Sequence, residues 1–178
     1  MAKDLYENNI NKVLETIDKC AVGEDGLSFL ILFYSALDIM AWLSRGQDEA
    51  EAAKSDFLHW VNEFLLPGSK LNCTAEDLYS ARNAVMHSYA PDWGVGINRG
   101  ENETGKIIYL WDKDAAGNRG SAVSSKASKR KTIAVKPEEM VDALKIAVQR
   151  FEDSLSFNRS LSELVFARAE KYFSEVSK

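Results

Sequence analysis

The sequence predicts an all-α protein, a bundle of about six helices with a small antiparallel β-hairpin inserted into it. Apolar residues recur at helical spacing along most of the chain, which is typical of amphipathic helices packed around one core. Proline and glycine interrupt this pattern and divide it into helix-sized segments. At 178 residues the chain is expected to form one domain, 1–178, that buries roughly 70% of its unfolded surface.

Three helices are predicted before residue 67. The first, 3–20, has a single apolar stripe, whereas the second, 27–44, is apolar on most sides and should lie at the centre of the core. The third, 49–66, begins rich in alanine and acidic residues and then becomes strongly apolar. Pro67 and Gly68 are expected to end it.

A fourth helix is expected between Thr74 and Pro91. Thr74 followed by Asp77 resembles a capping box, with aspartate in place of the usual glutamate. Pro91 disfavours helical geometry at Ala90, so the helix should end before it. Pro137 suits the first turn of a fifth helix for the opposite reason, because proline at the start of a helix loses no hydrogen bond.

The last helix and the hairpin complete the prediction. Ser160 and Glu163 have the spacing of a capping box, which would open the sixth helix. Between the fourth and fifth helices the composition changes, and 106–111 and 132–135 become rich in β-branched and aromatic residues. We interpret them as the arms of an antiparallel hairpin, or of a three-stranded patch that includes 95–97, within a β insertion at about 94–136.

Charge is unevenly distributed along a chain that is acidic as a whole, with 22 basic and 27 acidic residues. Residues 1–66 hold 5 basic and 12 acidic residues, a net charge of −7, whereas 67–136 hold 11 and 7, a net charge of +4. This excludes the bulk basicity of a general nucleic-acid binder but permits a local basic surface. The segment 115–131, rich in Gly, Ser and Lys, predicts a mobile loop. Its basic residues are candidates for binding RNA phosphates, or belong to a solvated loop: Lys126, Lys129, Arg130 and Lys131.

Several classes of protein are not expected. Cys20 and Cys73 have neither metal-ligand spacing nor the number needed for a disulfide framework, and with only two histidines we expect no metal site and no cofactor. Apolar runs are short, so no membrane span is expected. The polar, acidic N-terminus is unlike a secretory signal. Together these features indicate a cytoplasmic protein with reduced cysteines.

The most informative feature is a cation and an imidazole within the fourth helix. Arg82, Asn83 and His87 lie in an otherwise apolar run that needs none of them for packing. A guanidinium can hold and neutralise a phosphate. An imidazole titrates near neutral pH and can move protons. Arg82 and His87 are therefore candidate catalytic residues for cutting a phosphodiester.

A structural role for the same residues is also consistent with the sequence. Positions five apart are about 140° apart around an ideal helix, so Arg82 and His87 share a face only if the last turn is distorted. Arg82 could instead pair with Asp38, the lone acid of the second helix, as a buried ion pair. His87 could stabilise the helix C-terminus, where a cation is favoured.

The arginine, the following polar residue and the histidine match the RxxxxH motif of the HEPN superfamily. Two preceding features extend the resemblance: the apolar helix with Ser-Ala-Leu-Asp at 35–38, and the aromatic helix with Asp-Phe-Leu-His-Trp-Val at 56–61. Over roughly 27–91 the order of these features is similar to that of bacterial HEPN-like proteins. The resemblance implies a HEPN-like helical bundle.

The same resemblance implies a metal-independent endoribonuclease whose motif helices pack around the twofold axis of a homodimer. Arg82 would then bind the scissile phosphate, and His87 would act as base on the ribose 2′-hydroxyl or as acid for the leaving oxygen. Asn83 would orient the histidine or the phosphate, and Asp38 would hold Arg82. DNA lacks the 2′-hydroxyl and would be a poor substrate.

Members of this superfamily also include proteins that have lost nuclease activity. A non-catalytic dimeric interaction module or RNA-binding module is therefore the alternative. A third hypothesis is the toxin of a toxin–antitoxin or defence system, with an antitoxin-like protein as its partner. The acidic first helices would repel an RNA backbone, which counts against RNA as a ligand.

Overall fold

The computed structural model describes residues 2–22, 26–46, 54–88, 106–110 and 132–176. The described chain is mostly helical, with six helices and two short strands, so the predicted all-α class and helix number are confirmed. The elements are α1 (Ala2–Val22), α2 (Gly26–Ser44), α3 (Lys54–Trp60), α4 (Ala75–Ser88), β1 (Lys106–Tyr109), β2 (Thr132–Val135), α5 (Pro137–Phe157) and α6 (Arg159–Val176).

Helix α2 is the centre of the bundle. It packs against α1, α3, α4 and α6, and Phe29, Phe33 and Leu37 on it are fully buried. Its sequence is apolar on most sides because neighbours surround it. By length and composition α2 could also cross a membrane, the one helix of the described segments that could, but half of that stretch is buried inside the bundle.

Helix α3 continues into a π-helical turn, Val61–Leu65. The Leu66 N–H donates to the Val61 carbonyl at 2.9 Å, one residue further along than in an α-helix. The fully buried Trp60 lies beside Phe64, which packs edge-on against Phe151 of α5. The predicted start of this helix at residue 49 lies outside the described residues.

The predicted capping box of α4 is confirmed in full. The Thr74 N–H donates to Asp77 Oδ2 at 2.9 Å, and the Asp77 N–H donates to Thr74 Oγ1 at 3.1 Å. These two bonds satisfy backbone donors that have no partner inside the helix. The start of the helix that carries Arg82 is therefore specified by its own sequence.

The capping box predicted for α6 is wrong, because the helix begins earlier. Asn158 caps it by accepting a hydrogen bond from the Leu161 N–H at 3.1 Å. Glu163 does not complete a box with Ser160 and instead pairs with Arg159 at 2.8 Å. Asparagine is at least as good a cap as serine, and Asn158 directly follows the end of α5.

The two strands pair in parallel, so the predicted antiparallel hairpin is wrong. Ile107 lies opposite Ile133, and Tyr109 lies opposite Val135. Parallel strands need a connection of about a dozen residues or more, and the chain between β1 and β2 is longer than that. Sequence composition detects a strand but not its direction, which is why the hairpin was the wrong inference.

The strand pair is attached to the helical core. Ile107, Ile133 and Val135 are buried, and the hydroxyls of Tyr109 and Tyr34 of α2 lie 2.8 Å apart. Burial raises the pKa of both phenols above the ordinary tyrosine value. Both groups therefore stay protonated, and Tyr109 packs against the core as a partly buried residue.

Candidate functional site

Arg82 is held by an aspartate from a different helix. Its Nε and Nη2 donate to Asp38 Oδ2 at 2.9 and 2.7 Å. The two side chains are only partly exposed, at 22% for Arg82 and 30% for Asp38. Because both bonds end on one carboxylate oxygen, the guanidinium orientation is fixed while Asp38 Oδ1 keeps its capacity to accept.

Asn83 contributes to the same network. Its Oδ1 accepts a hydrogen bond from Arg82 Nη1 at 2.9 Å. The described contacts thus connect Asn83 with the arginine, whereas the sequence suggested contact with the histidine or the phosphate. Arg82 has five N–H groups, of which three donate to described residues, so among these residues one on each Nη is left for a further acceptor.

His87 lies in the last turn of α4 and is exposed. The helix is regular as far as Ser88, so the distorted last turn that would bring the imidazole toward Arg82 is not formed. In a regular helix the two residues remain about 140° apart around the axis. Within one chain, the side chains of Arg82 and His87 therefore lie on different faces of α4.

Arg82 and Asp38 lie on the wall of an open groove of about 560 Å³. Residues from α2, α3, α4 and α6 line it, and many of them are aromatic or charged. Trp42 and Tyr172 meet edge-on across the α2–α6 side, with ring centroids 4.4 Å apart. His87 is not among the described residues that line this groove.

The lining of the groove contains a second aromatic pair. Phe57 of α3 and Tyr79 of α4 meet at an angle of 64°, with ring centroids 5.3 Å apart. The Lys54 ammonium lies over the Tyr79 ring, 5.3 Å from its centroid. Because such a cation is attracted to the ring face, Lys54 also places positive charge at the groove.

His59, the other histidine, is 71% exposed and pairs with Glu63 at 2.9 Å on the surface of α3. Within the described segments, no cluster of three or more His, Cys, Asp or Glu residues could hold a metal ion. The candidate RNA-contacting residues lie outside the described residues: Lys126, Lys129, Arg130 and Lys131.

Sequence reasoning missed most of the groove. Tyr79 precedes Arg82 by three positions and Trp42 follows Asp38 by four, so helical spacing could have placed each beside the candidate residue. No comparable signal exists for Tyr172, because α6 is remote from α2 and α4 in sequence. Only the packing of the bundle brings it to the site.

Comparison with protein-family models, curated proteins and solved structures finds no match to this chain.

Proposed function

We propose that this chain is a metal-independent endoribonuclease of HEPN-like type, active as a homodimer in the cytoplasm. The observation that carries the proposal is the state of Arg82 on α4. Its guanidinium is fixed by Asp38 and Asn83, is partly exposed and retains unused N–H groups on the wall of an open groove. A fixed donor pair of this kind is suited to a phosphate and to the charge that develops on it.

His87 supplies the proton-transfer group of the proposed reaction. Its imidazole would take the proton of the ribose 2′-hydroxyl or give one to the leaving oxygen. The 2′-oxygen attacks the phosphorus, a 2′,3′-cyclic phosphate forms, and the 5′-oxygen leaves with a proton. No water is consumed in this step, and DNA cannot undergo it.

The dimer is proposed because one chain does not bring the two groups together. Arg82 faces the groove, whereas the exposed His87 lies about 140° around the same helix. Packing of two α4 helices around a twofold axis would bring the histidine of one copy toward the arginine of the other. Asp38 acts in this scheme as a positioning residue, since it contacts Arg82.

A second function is favoured by the same ion pair. The Asp38 carboxylate neutralises much of the Arg82 charge, and the acidic first helices do not attract RNA. These two features support a non-catalytic HEPN-like dimeric interaction module, for example one that binds an antitoxin-like protein in a toxin–antitoxin or defence system. In that case Arg82 and Asp38 stabilise the bundle and have no catalytic role.

The deciding experiment is RNA cleavage in EDTA by wild-type protein and by Arg82→Ala and His87→Ala variants. We expect 2′,3′-cyclic phosphate ends and rate losses of about 10²-fold or more in both variants. His59→Ala and Arg159→Ala are matched controls, because they remove an exposed histidine and an exposed arginine that do not line the groove. Activity retained in folded Arg82→Ala and His87→Ala variants would refute the catalytic assignment.

Mixing the two inactive variants tests the shared site. If each cleft combines Arg82 of one subunit with His87 of the other, a mixed dimer of Arg82→Ala and His87→Ala has one intact cleft. Up to about a quarter of wild-type activity should then return after subunit exchange. No recovery by mixed dimers, in spite of demonstrated exchange, would contradict a site shared in this way. Absence of cleavage by a folded wild-type dimer across varied RNAs would favour the interaction module.

A further inference from the structure

The groove beside Arg82 has a size and composition that the proposed phosphate chemistry does not explain. Its volume of about 560 Å³ lies within the range of small-molecule sites. A single phosphate on Arg82 would occupy a small part of this space. The remainder extends between two aromatic pairs, Trp42 with Tyr172 and Phe57 with Tyr79.

Tyr172 is the ring most available for stacking. It packs edge-on against Trp42 and still has 52% of its surface exposed. The Trp42 ring has the Arg168 guanidinium 5.7 Å from its centroid, and the Tyr79 ring has the Lys54 ammonium at 5.3 Å. A planar ligand could therefore stack on Tyr172 without displacing either cation.

The polar groups of the groove match a nucleotide better than an apolar ligand. Arg82 keeps N–H groups for a phosphate, and Asp38 Oδ1 can accept a hydrogen bond. An apolar peptide side chain would cover these groups without pairing them, which is unfavourable. The amino groups of adenine and cytosine donate to carboxylates, whereas the corresponding atom of uracil is a carbonyl oxygen.

We propose that the groove is a nucleobase subsite that takes one unpaired adenosine or cytidine nucleotide of RNA, with its base on Tyr172 and its phosphate on Arg82. This assignment rests on the proposed ribonuclease function and adds a base preference to it. An unpaired nucleotide is required because a base inside a duplex has no free face for stacking. The enzyme would then cut single-stranded RNA next to adenosine or cytidine in preference to uridine.

The test is direct binding of nucleotides to full-length protein carrying His87→Ala, measured by calorimetry. The probes are the 3′-monophosphates of adenosine, cytidine and uridine, with inorganic phosphate as the reference. We expect adenosine and cytidine monophosphates to bind at least tenfold more tightly than inorganic phosphate, and about tenfold more tightly than uridine monophosphate. Equal binding of all four probes would overturn the subsite, because only the phosphate would then be recognised.

A variant pair identifies the stacking surface. Tyr172→Ala should weaken adenosine monophosphate binding about tenfold, whereas Phe157→Ala, which removes a 92% exposed ring at the end of α5, should leave it unchanged. Tyr172→Leu would keep an apolar contact with Trp42 and lacks the aromatic ring. It replaces Tyr172→Ala in the binding measurement if the alanine variant does not fold. Unchanged affinity in a folded Tyr172 variant would refute the assignment.

The same proteins separate the two proposals when cleavage is measured as well. One outcome is that the wild-type protein cleaves RNA but nucleotides do not bind, and that Tyr172→Ala cleaves with the same base preference. This outcome would refute the subsite and leave the nuclease proposal intact. Binding that depends on Tyr172, together with no cleavage of any RNA, would support the subsite and refute the nuclease. Absence of both RNA cleavage and nucleotide binding in folded protein would refute both.

Discussion

Arg82 on α4 donates two hydrogen bonds to one carboxylate oxygen of Asp38 on α2, although 44 positions separate the two residues in sequence. The pair connects the central helix of the bundle with the helix that carries the RxxxxH motif. It also leaves both members partly exposed, so neither is locked inside the core. The same contact thus serves packing and presents a fixed guanidinium to the groove.

The contribution of this pair to stability can be measured by a double-mutant cycle. We expect Asp38→Ala and Arg82→Ala to be non-additive, with a coupling energy of about 1 kcal/mol, since partial solvent exposure screens the pair. Urea unfolding of the wild-type protein, both single variants and the double variant gives this value. Additive losses would mean that the observed contact contributes nothing to the free energy of unfolding.

Arg168 of α6 should be a major contributor to stability. Its Nη1 donates to the carbonyls of Leu43 and Arg45 at 3.0 and 2.6 Å, and its Nη2 donates to that of Gly46 at 2.7 Å. These carbonyls lie at and just beyond the C-terminal end of α2, where carbonyl groups have no partner within the helix. We expect Arg168→Ala to lower the free energy of unfolding by about 2–3 kcal/mol.

The control for Arg168 is another arginine of the same helix. Among the described residues, Arg159 forms an exposed pair with Glu163, so Arg159→Ala should leave the free energy of unfolding nearly unchanged. Urea unfolding of both variants makes the comparison. Similar losses in the two would show that capping of α2 is unimportant.

Glu152 of α5 should make stability depend on pH. Partial burial, followed by repulsion from Glu7 and Asp153, raises its pKa above the ordinary glutamate value, and Lys3 partly opposes this. The folded state therefore binds the proton more tightly than the unfolded state, and stability from this group falls as pH rises through the raised pKa. At pH 7 the charged carboxylate is destabilising.

Replacement of the Glu152 carboxylate tests whether its charge lowers the stability of the folded protein at neutral pH. Glu152→Gln should be more stable than wild type at pH 7, by up to about 0.5 kcal/mol, because the group is still substantially solvated. The difference should vanish below the ordinary glutamate pKa, where Glu152 is protonated in both states. The measurement is the free energy of chemical unfolding at several values between about pH 3 and about pH 7. Glu170→Gln, which replaces an exposed glutamate, is the control. A Glu152→Gln variant less stable than wild type at pH 7 would contradict the argument.

Cys73 should be an unreactive thiol in the native protein. Burial, with a smaller effect of Asp77, raises its pKa to about 12. Because the thiolate is the reactive form, little of Cys73 can react at neutral or mildly alkaline pH. In a Cys20→Ser background we expect negligible alkylation of native protein by iodoacetamide and rapid alkylation in urea, as followed by mass spectrometry. Equal rates in the two conditions would show that Cys73 is open to solvent.

The local features of the chain were predictable because their physics is local. Apolar spacing identified six helices, and the bonds between Thr74 and Asp77 form as their spacing predicts. The wrong prediction of the capping box of α6 also has a local origin. Asn158 and Ser160 are both good N-cap residues, and only one of them can begin the helix. The sequence alone also raised the pairing of Arg82 with Asp38 as one alternative.

The sequence by itself determined which segments are helical, where α4 begins, and that a cation and an imidazole lie on one helix. These properties depend on residues within about four positions of one another. The tertiary structure decided the parallel direction of β1 and β2, the pairing of Arg82 with Asp38, and the approach of Tyr172 to the groove. Each of these joins segments that are remote in sequence, so it follows from how the helices pack around α2 and has no local signal.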